Sequence, residues 1–544
     1  MGLFRRSTVM PAKAGTQSTT GAASRGIAFW VPAFAGMTVI LFASAVQAAA
    51  PLSREAQVAA VIARYTKESP QLRVLLQTMP KGGDLHNHLD GSVYAEDFLQ
   101  WASEDGFCVA KTTRALTPPP CTPDQVSATG LAERDPVFYQ ATIDALSMRN
   151  WSPGSGTGEW SGHDHTFATF GRFIPLGSRH LDGMLAATRR IAAADHVNYI
   201  EQMSDPGVAF SPELFAASIA FDADDFEKSY AAVAPKLPAL VAAARAEYDA
   251  ADAKMRAQLH CNAFILPPEC AVRVHYLYYV VRTLPPKLVF AQMALGYALA
   301  LADPRFVGVN FVAPEDDAVA LKDFDLHMRM FRFFSEKHPE VKLALHAGEL
   351  TLGLVPREAL GFHIRETVEV AGARRIGHGY ALPYENDLPS LLKEMADRKV
   401  AVEINLTSNE ITAGVYAVEH PISLYRNAGV PVTLSADDEG VFRIDLTHEY
   451  VRAVTEQKLG YRDLKEFARN GLEYSFVPGE SLWQRGNYAQ INLACAGSVA
   501  GAKEPTPRCA AFLAGSEKAM MQWHFEADVA AYEEAVLAGP FAKP

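Results

Sequence analysis

Apolar and polar residues alternate along this chain in two rhythms. Val58, Val61, Ile62 and Tyr65, then Leu72, Leu75 and Leu76, recur at helical spacing, which predicts a helical arm over 51–79. Beyond it, apolar runs of strand length predict strands over 197–202, 272–281, 306–312, 341–345, 374–377, 400–405 and 431–435, behind a short first strand at His86-Asn87-His88. Helical patterns at 95–103, 212–258, 288–302 and 323–337 fall between these runs. Strands that are nearly continuous in apolar residues and alternate with helices mark a parallel sheet buried on both faces. Eight such units predict an α/β fold, a (β/α)8 TIM barrel whose functional groups gather at the carboxyl ends of the strands. An open doubly wound sheet is the competing architecture, and it brings strands one, five, six and eight to one centre less naturally.

The rhythm breaks in three places. Residues 104–165 are rich in turns, as in Thr117-Pro-Pro-Pro120 and the Trp151 to Gly158 stretch, and are expected to be an insertion after strand one. The barrel is expected over 82–480 and a C-terminal extension over 481–544, with a helix at 519–537. At the other end, an apolar stretch at 27–46 is interrupted by Pro32 and Gly36 and ends in Val46-Gln-Ala48. That pattern predicts a signal peptide over 1–48 with cleavage after Ala48, hence an exported protein without a stable membrane anchor, either periplasmic or secreted. An uncleaved anchor is the rival, since the run approaches spanning length. Met37 is an alternative start.

With 49% hydrophobic residues in 544, the chain can bury a large core. The formal charge of -12 disfavours a nucleic-acid partner, which would need Lys and Arg against phosphates. Six cysteines form three local couples, Cys108 with Cys121, Cys261 with Cys270 and Cys495 with Cys509, and export would permit disulfides. Fifteen connectivities are open, and proximity alone favours these. No Cys-x-x-Cys pair is present, which argues against a structural zinc module.

The candidate chemistry lies at strand ends. On a strand, His86 and His88 point to one face. A lone His-x-His is more often a chance pair, but His346-Ala-Gly-Glu349, Arg375-Ile-Gly-His378-Gly379 and Leu434-Ser-Ala-Asp437-Asp438 also follow short apolar runs. Four strand ends bearing such groups are hard to explain as packing. His163 and His165 repeat the spacing inside the insertion without partner motifs and read as a surface pair. Asn405-Leu-Thr407 matches a glycosylation acceptor but reads better as a site or capping element, with 407–409 as helix caps.

Together, Met79-Pro-Lys-Gly-Gly-Asp-Leu-His-Asn-His-Leu-Asp-Gly91, His346-Ala-Gly-Glu349, Ile376-Gly-His-Gly379, Glu403-Ile-Asn-Leu-Thr-Ser-Asn409 and Ser435-Ala-Asp-Asp438 resemble the adenosine deaminase family of the amidohydrolase superfamily. The lead-in, the export signal and the cysteine-bearing insertion look most like its secreted, growth-factor-like branch. The resemblance implies one zinc ion per subunit, held by His86, His88, His346 and Asp437. It implies Glu349 as the proton donor to N1 of a purine and His378 as the group that orients the attacking water. His88, Asp90, Ala313 and Asp438 are implied as substrate contacts, with Asp90 at the ribose and Asp438 at N7. The implied reaction is hydrolytic deamination of adenosine, and of 2′-deoxyadenosine, to the inosine product and ammonia. A homodimer is compatible with the sequence and not required by it.

One departure bears on the substrate. After strand four, Ala313 stands where the family usually has a glycine whose backbone meets the purine. The contact survives that change if the local φ is negative. A deaminase of another purine base or modified nucleoside is therefore the second reading. A third, a growth-factor-like binding protein without chemistry, has no need of the full ligand set. A binuclear amidohydrolase is disfavoured, because no lysine ends strand four to bridge two metals.

Overall fold

The computed structural model describes residues 52–151 and 161–542. The expected signal peptide and most of the Trp151 to Gly158 stretch lie outside the described residues. Among the described residues, eight strands pair in parallel and in chain order. They are β1 (Gly83–His88), β2 (Tyr199–Met203), β3 (Arg273–Val281), β4 (Phe306–Val312), β5 (Lys342–Ala347), β6 (Arg375–His378), β7 (Ala401–Ile404) and β8 (Val432–Leu434). Two hydrogen bonds close the ring just past β8. The Asp437 amide donates to the His86 carbonyl at 3.0 Å, and the His88 amide donates to the Asp437 carbonyl at 3.2 Å. The (β/α)8 barrel is thus realised, with His86 and His88 on the first strand as expected and one correction of position: His346 and His378 lie within their strands rather than just beyond them.

Inside the barrel, a charged layer replaces part of the usual apolar filling. Arg375 on β6, 0% exposed, lies between Glu201 on β2 at 2.6 Å and Glu403 on β7, and stacks 3.9 Å above the Phe476 ring. Glu403 then bonds Nδ1 of His86 at 2.8 Å. Three strands are thereby tied to the first histidine by a chain in which each buried charge has a partner, the condition under which such charges are tolerated.

The helix expected over 212–258 is broken into Pro212–Ala217, Phe226–Val233 and Leu237–Gln258. Ser211 and Asp225 accept amide hydrogens from Leu214 and Lys228, so polar caps restart the chain where an Ala-rich pattern suggested continuity. The insertion is more ordered than its composition suggested. It holds a three-stranded antiparallel sheet, Cys108–Ala110 between Leu116–Thr117 and Gln125–Ser127, and the helices Pro136–Ala145 and Gly162–Gly177. The last of these crosses the expected boundary at 165.

Disulfides join Cys108 to Cys121, Cys261 to Cys270 and Cys495 to Cys509. The last ties the extension after the barrel, whose helix Glu517–Ala538 packs on the N-terminal arm, with the Tyr532 hydroxyl donating to the Leu75 carbonyl. Glu517 meets Arg273 at the start of β3 at 2.7 Å, so this contact lies at the amino ends of the strands, opposite the site. Among the described residues no helix is long and apolar enough to cross a membrane.

Replacing Arg375 by Ala would leave Glu201 and Glu403 buried without their shared counter-charge. A loss of about 3–5 kcal/mol in unfolding free energy is expected, read from urea titration; a loss below 1 kcal/mol would contradict this account of the barrel interior.

Candidate active site

Three of the four imidazoles at the barrel mouth, those of His86, His346 and His378, are aimed by a hydrogen bond behind them. His86 Nδ1 donates to Glu403, so Nε2 is the nitrogen left to face the other groups, buried and 3.5 Å from Asp437 Oδ1. His346 Nδ1 donates at 2.7 Å to Asn310 Oδ1, on β4, which leaves a lone pair on Nε2 facing His88 Nε2 at 3.2 Å. Asp437 Oδ1 lies 3.5 Å from His86 Nε2 and 3.4 Å from His88 Nε2.

The charges of these groups are set by one another. Burial opposes a charge on His86, yet its hydrogen bonds to Asp437 and Glu403 hold it up to about 10. A proton, in other words, takes the place of a cation between the ring and the carboxylates. Burial pushes His88 down to about 3 and His346 well below the ordinary histidine range, so both offer lone pairs. Burial works to raise Asp437, but the hydrogen bond from His86 and the neighbouring imidazoles keep it below the usual carboxylate range. Three nitrogen donors and one carboxylate, one of them an orphaned buried atom, fit a divalent cation of the zinc type.

His378 stands beside this set, with Nε2 3.7 Å from Glu349 and 3.8 Å from Asp437. Its Nδ1 meets the Asn409 side-chain amide at 2.9 Å, and the other end of that amide lies 2.9 Å from His420 Nε2. His420 Nδ1 accepts the Ile422 amide, and burial with Arg452 nearby holds His420 neutral, down to about 3. Its single proton therefore sits on Nε2, and hydrogen-bond accounting turns the Asn409 oxygen toward it. The amide NH2 then faces His378 Nδ1, as Asn405 Nδ2 does at 3.4 Å, and the His378 proton is on Nε2. Gly377 makes room behind: a Cβ there would stand 2.6 Å from His86 Cε1.

The mouth opens into a cavity of about 340 Å³, lined by His88, Asp90, Ala313, Glu349, Asp438 and the lid residues Thr166, Phe167, Phe170 and Ile174. Burial, with Asp437 and Glu315 adding to it, raises the Glu349 carboxyl above its ordinary value. Asp438 is raised further by burial, Asp437 and Asp90, and its Oδ1 has no partner among the described residues. Both acids are thereby prepared to hold a proton inside the cavity. Glu315 braces the Glu349 loop by accepting the Gly348 and Glu349 amides at 3.2 and 2.6 Å.

All of the sequence-predicted site residues meet in this one place, with two changes in how they do so. Ala313 has φ +81°, not the negative φ that would make alanine free of cost, so it holds the glycine-like conformation at an expense of about 1 kcal/mol. Thr407, Ser408 and Asn409 lie inside the helix Leu406–Ala413 rather than capping it. Asn405 and Thr407 are 1% and 5% exposed, so the glycosylation match is closed to a glycan. Sequence reasoning left out the orienting roles of Asn310, Glu403 and His420, because each contact is made across strands or loops.

His163 and His165 are not a free surface pair. His163 Nε2 bonds Asp316 at 3.0 Å, joining the lid helix Gly162–Gly177 to the loop after β4, and His165 Nε2 bonds the Asp144 and Ser147 carbonyls at 3.1 Å. Burial opposes the charge on His163, but its bonds to Asp316 and Asp164 hold it up to about 9.

Two measurements test this geometry. Glu403→Gln should weaken zinc retention against a chelator about 10- to 100-fold, and unchanged retention would remove its orienting role. The His163 contact, with a folded-state pKa above the unfolded one, is fully present below about 6.5 and lost as pH rises through about 9. Amide protection over 162–177, corrected for intrinsic exchange, should therefore fall across that window in the native protein and show no such step in His163→Gln.

Residues 267–483 match the family model described as adenosine deaminase. The chain is 40% identical over 139 residues to an aminodeoxyfutalosine deaminase of Streptomyces coelicolor, covering 25% of this chain and 33% of that protein. It is 36% identical over 115 residues to an adenosine deaminase of Shewanella loihica, covering 21% and 33%. The chain thus spans about a third of the length of these curated relatives. A zinc-bound amidohydrolase structure from Burkholderia ambifaria aligns over 75% of this chain and 88% of its own, at 17% identity and a TM-score of 0.49. From β3 through β8, six of the eight strands and the stretch that carries His346, Glu349, His378, Asp437 and Asp438, the sequence matches the adenosine deaminase family model.

Proposed function

We propose that this protein is a zinc-dependent hydrolase that converts adenosine, and 2′-deoxyadenosine, to the inosine product and ammonia. The observation that carries the reading is that His86 belongs to two overlapping triads of ligand atoms, His86-His88-Asp437 and His86-His346-His378, with His88 Nε2 3.2 Å from His346 Nε2, beside a cavity lined by Glu349 and Asp438. Held by those four residues, zinc would lower the pKa of a water toward about 7 and so supply a nucleophile at neutral pH.

The remaining steps belong to the chain's own groups. Glu349, whose carboxyl burial raises, donates to N1 of the purine and makes C6 electrophilic. His378 presents its Nε2 proton to the attacking oxygen and fixes its approach to C6. Asp438, its carboxyl raised by burial and by Asp437, shares a hydrogen bond with N7, and Asp90 meets the ribose hydroxyls. The Glu349 carboxylate left by that transfer carries the proton of the C6 hydroxyl to the amino group, the C6–N bond breaks, a C6 carbonyl forms, and the amino group leaves as ammonia.

A second purine nucleoside as the true substrate is favoured by one observation, the alanine at φ +81° where the backbone would meet the base. The three disulfides among the described residues support export, and cleavage near Ala48 and kinship with the secreted branch belong to the same proposal.

Ammonia release from a panel of 6-aminopurine nucleosides, before and after chelation and zinc return, tests the reading. Glu349→Gln should lose about hundredfold or more in kcat/KM while retaining its zinc. Full activity in that variant would remove the proton-donor assignment, and activity indifferent to chelation would remove the metal.

A further inference from the structure

A second cavity, of about 410 Å³, adjoins the first and shares Asp90, Ile174, Tyr279 and Val281 with it. It lies at the carboxyl ends of β1, β2 and β3, away from the histidines. Its shaft is apolar, with Leu181, Met184, Met203, Pro206 and Phe210, and its polar groups are acidic or neutral: Asp205, Glu247, Ser178, Ser204 and Tyr279. Neither Lys nor Arg lines it. Glu247 is engaged by the Gly207 amide at 3.1 Å. Asp205 is different: the Tyr279 hydroxyl lies against its carboxyl, yet Oδ2 is buried and has no partner among the described residues. A buried carboxyl oxygen without a partner costs about 1–3 kcal/mol, and a ligand donor that reaches it recovers that cost and favours the ionised form that burial opposes.

Resting on the proposed deaminase reading, which puts the base beside Glu349 and the ribose at Asp90, we propose that this cavity receives a substituent on the 5′ carbon of the nucleoside. The substituent it fits is apolar along its length and ends in a cationic or hydrogen-bond-donating group that meets Asp205. A 5′-phosphate is excluded by the same lining, because it would bring negative charge toward Asp90, Asp205 and Glu247 with no cation to receive it. The substrate class is therefore a 5′-extended 6-aminopurine nucleoside, with adenosine as its truncated form. The apolar shaft contributes in proportion to the area it covers, and the terminal donor supplies discrimination.

The test compares kcat/KM of the zinc-loaded full-length enzyme for adenosine, 5′-S-propyl-5′-thioadenosine, 5′-S-(3-aminopropyl)-5′-thioadenosine and adenosine 5′-monophosphate. The aminopropyl compound should exceed its propyl counterpart by about tenfold or more, and the monophosphate should be the poorest. In Asp205→Asn the ratio of aminopropyl to propyl should fall to about one. If that variant does not fold, Met184→Phe, which narrows the shaft, should lower both extended compounds about tenfold relative to adenosine. Turnover of adenosine with no gain from either extension, or a ratio unmoved in Asp205→Asn, overturns the inference and leaves the deaminase reading standing. No ammonia from any of the four compounds overturns both.

Discussion

The site depends on how the barrel closes. β8 is three residues long, and the ring is completed not by a ladder between it and β1 but by two bonds between Asp437 and the backbone of His86 and His88. The backbone that seals the fold is also the backbone that carries three of the four groups suited to a metal. Any slip of β1 against β8 would part those groups as it opened the ring, so register and ligand geometry are one constraint. Asp437 meets it with φ +63°, and His378 with φ +64°, conformations that L-residues adopt only when the surroundings compel them. Ala313 makes a third, on the facing wall of the cavity.

Behind the seam, the Glu201–Arg375–Glu403 layer does the work of holding His86 in one tautomer and one orientation. A purely apolar filling would stabilise the barrel as well or better, since buried charges gain little over well-packed side chains. What the charged layer adds is direction: it connects three strands to Nδ1 of a single imidazole. Asn310 does the same for His346 from β4, and Asn409 with His420 for His378. Asn310 and Asn409 come from the strand or loop next to the one they serve, whereas Glu403 on β7 reaches past β8 to His86 on β1.

The insertion after β1 supplies the part of the cavity that the barrel cannot. Its helix Gly162–Gly177 lays Thr166, Phe167, Phe170 and Ile174 over the mouth, and is pinned on one side by His163 with Asp316 and on another by Phe98 stacked on Phe173 at 4.6 Å. The lid is thus a wall shared by both cavities, through Ile174. The extension after the barrel makes its contact at the opposite end of the strands, where Phe476 enters beneath Arg375.

Much of this was legible in the chain. Alternating runs located the strands, because a parallel barrel buries both faces and leaves a nearly continuous apolar signature. The residues at their ends were legible too, since His, Glu and Asp beside such runs have few other reasons to be there. Harder to read were elements whose cause lies in capping and contact: the breaks at Ser211 and Asp225, the small sheet of the insertion, and the lid helix that began as a loop-rich stretch. The sequence by itself determined the barrel, its order and the groups that face its centre, since period and residue type are local properties. Only the tertiary structure decided which nitrogen of His86, His346 and His378 faces the site, which carboxyls burial raises, that Ala313 takes a glycine's φ, and that a second cavity opens beyond Asp90. Those depend on distances between segments far apart in the chain, which no local pattern encodes.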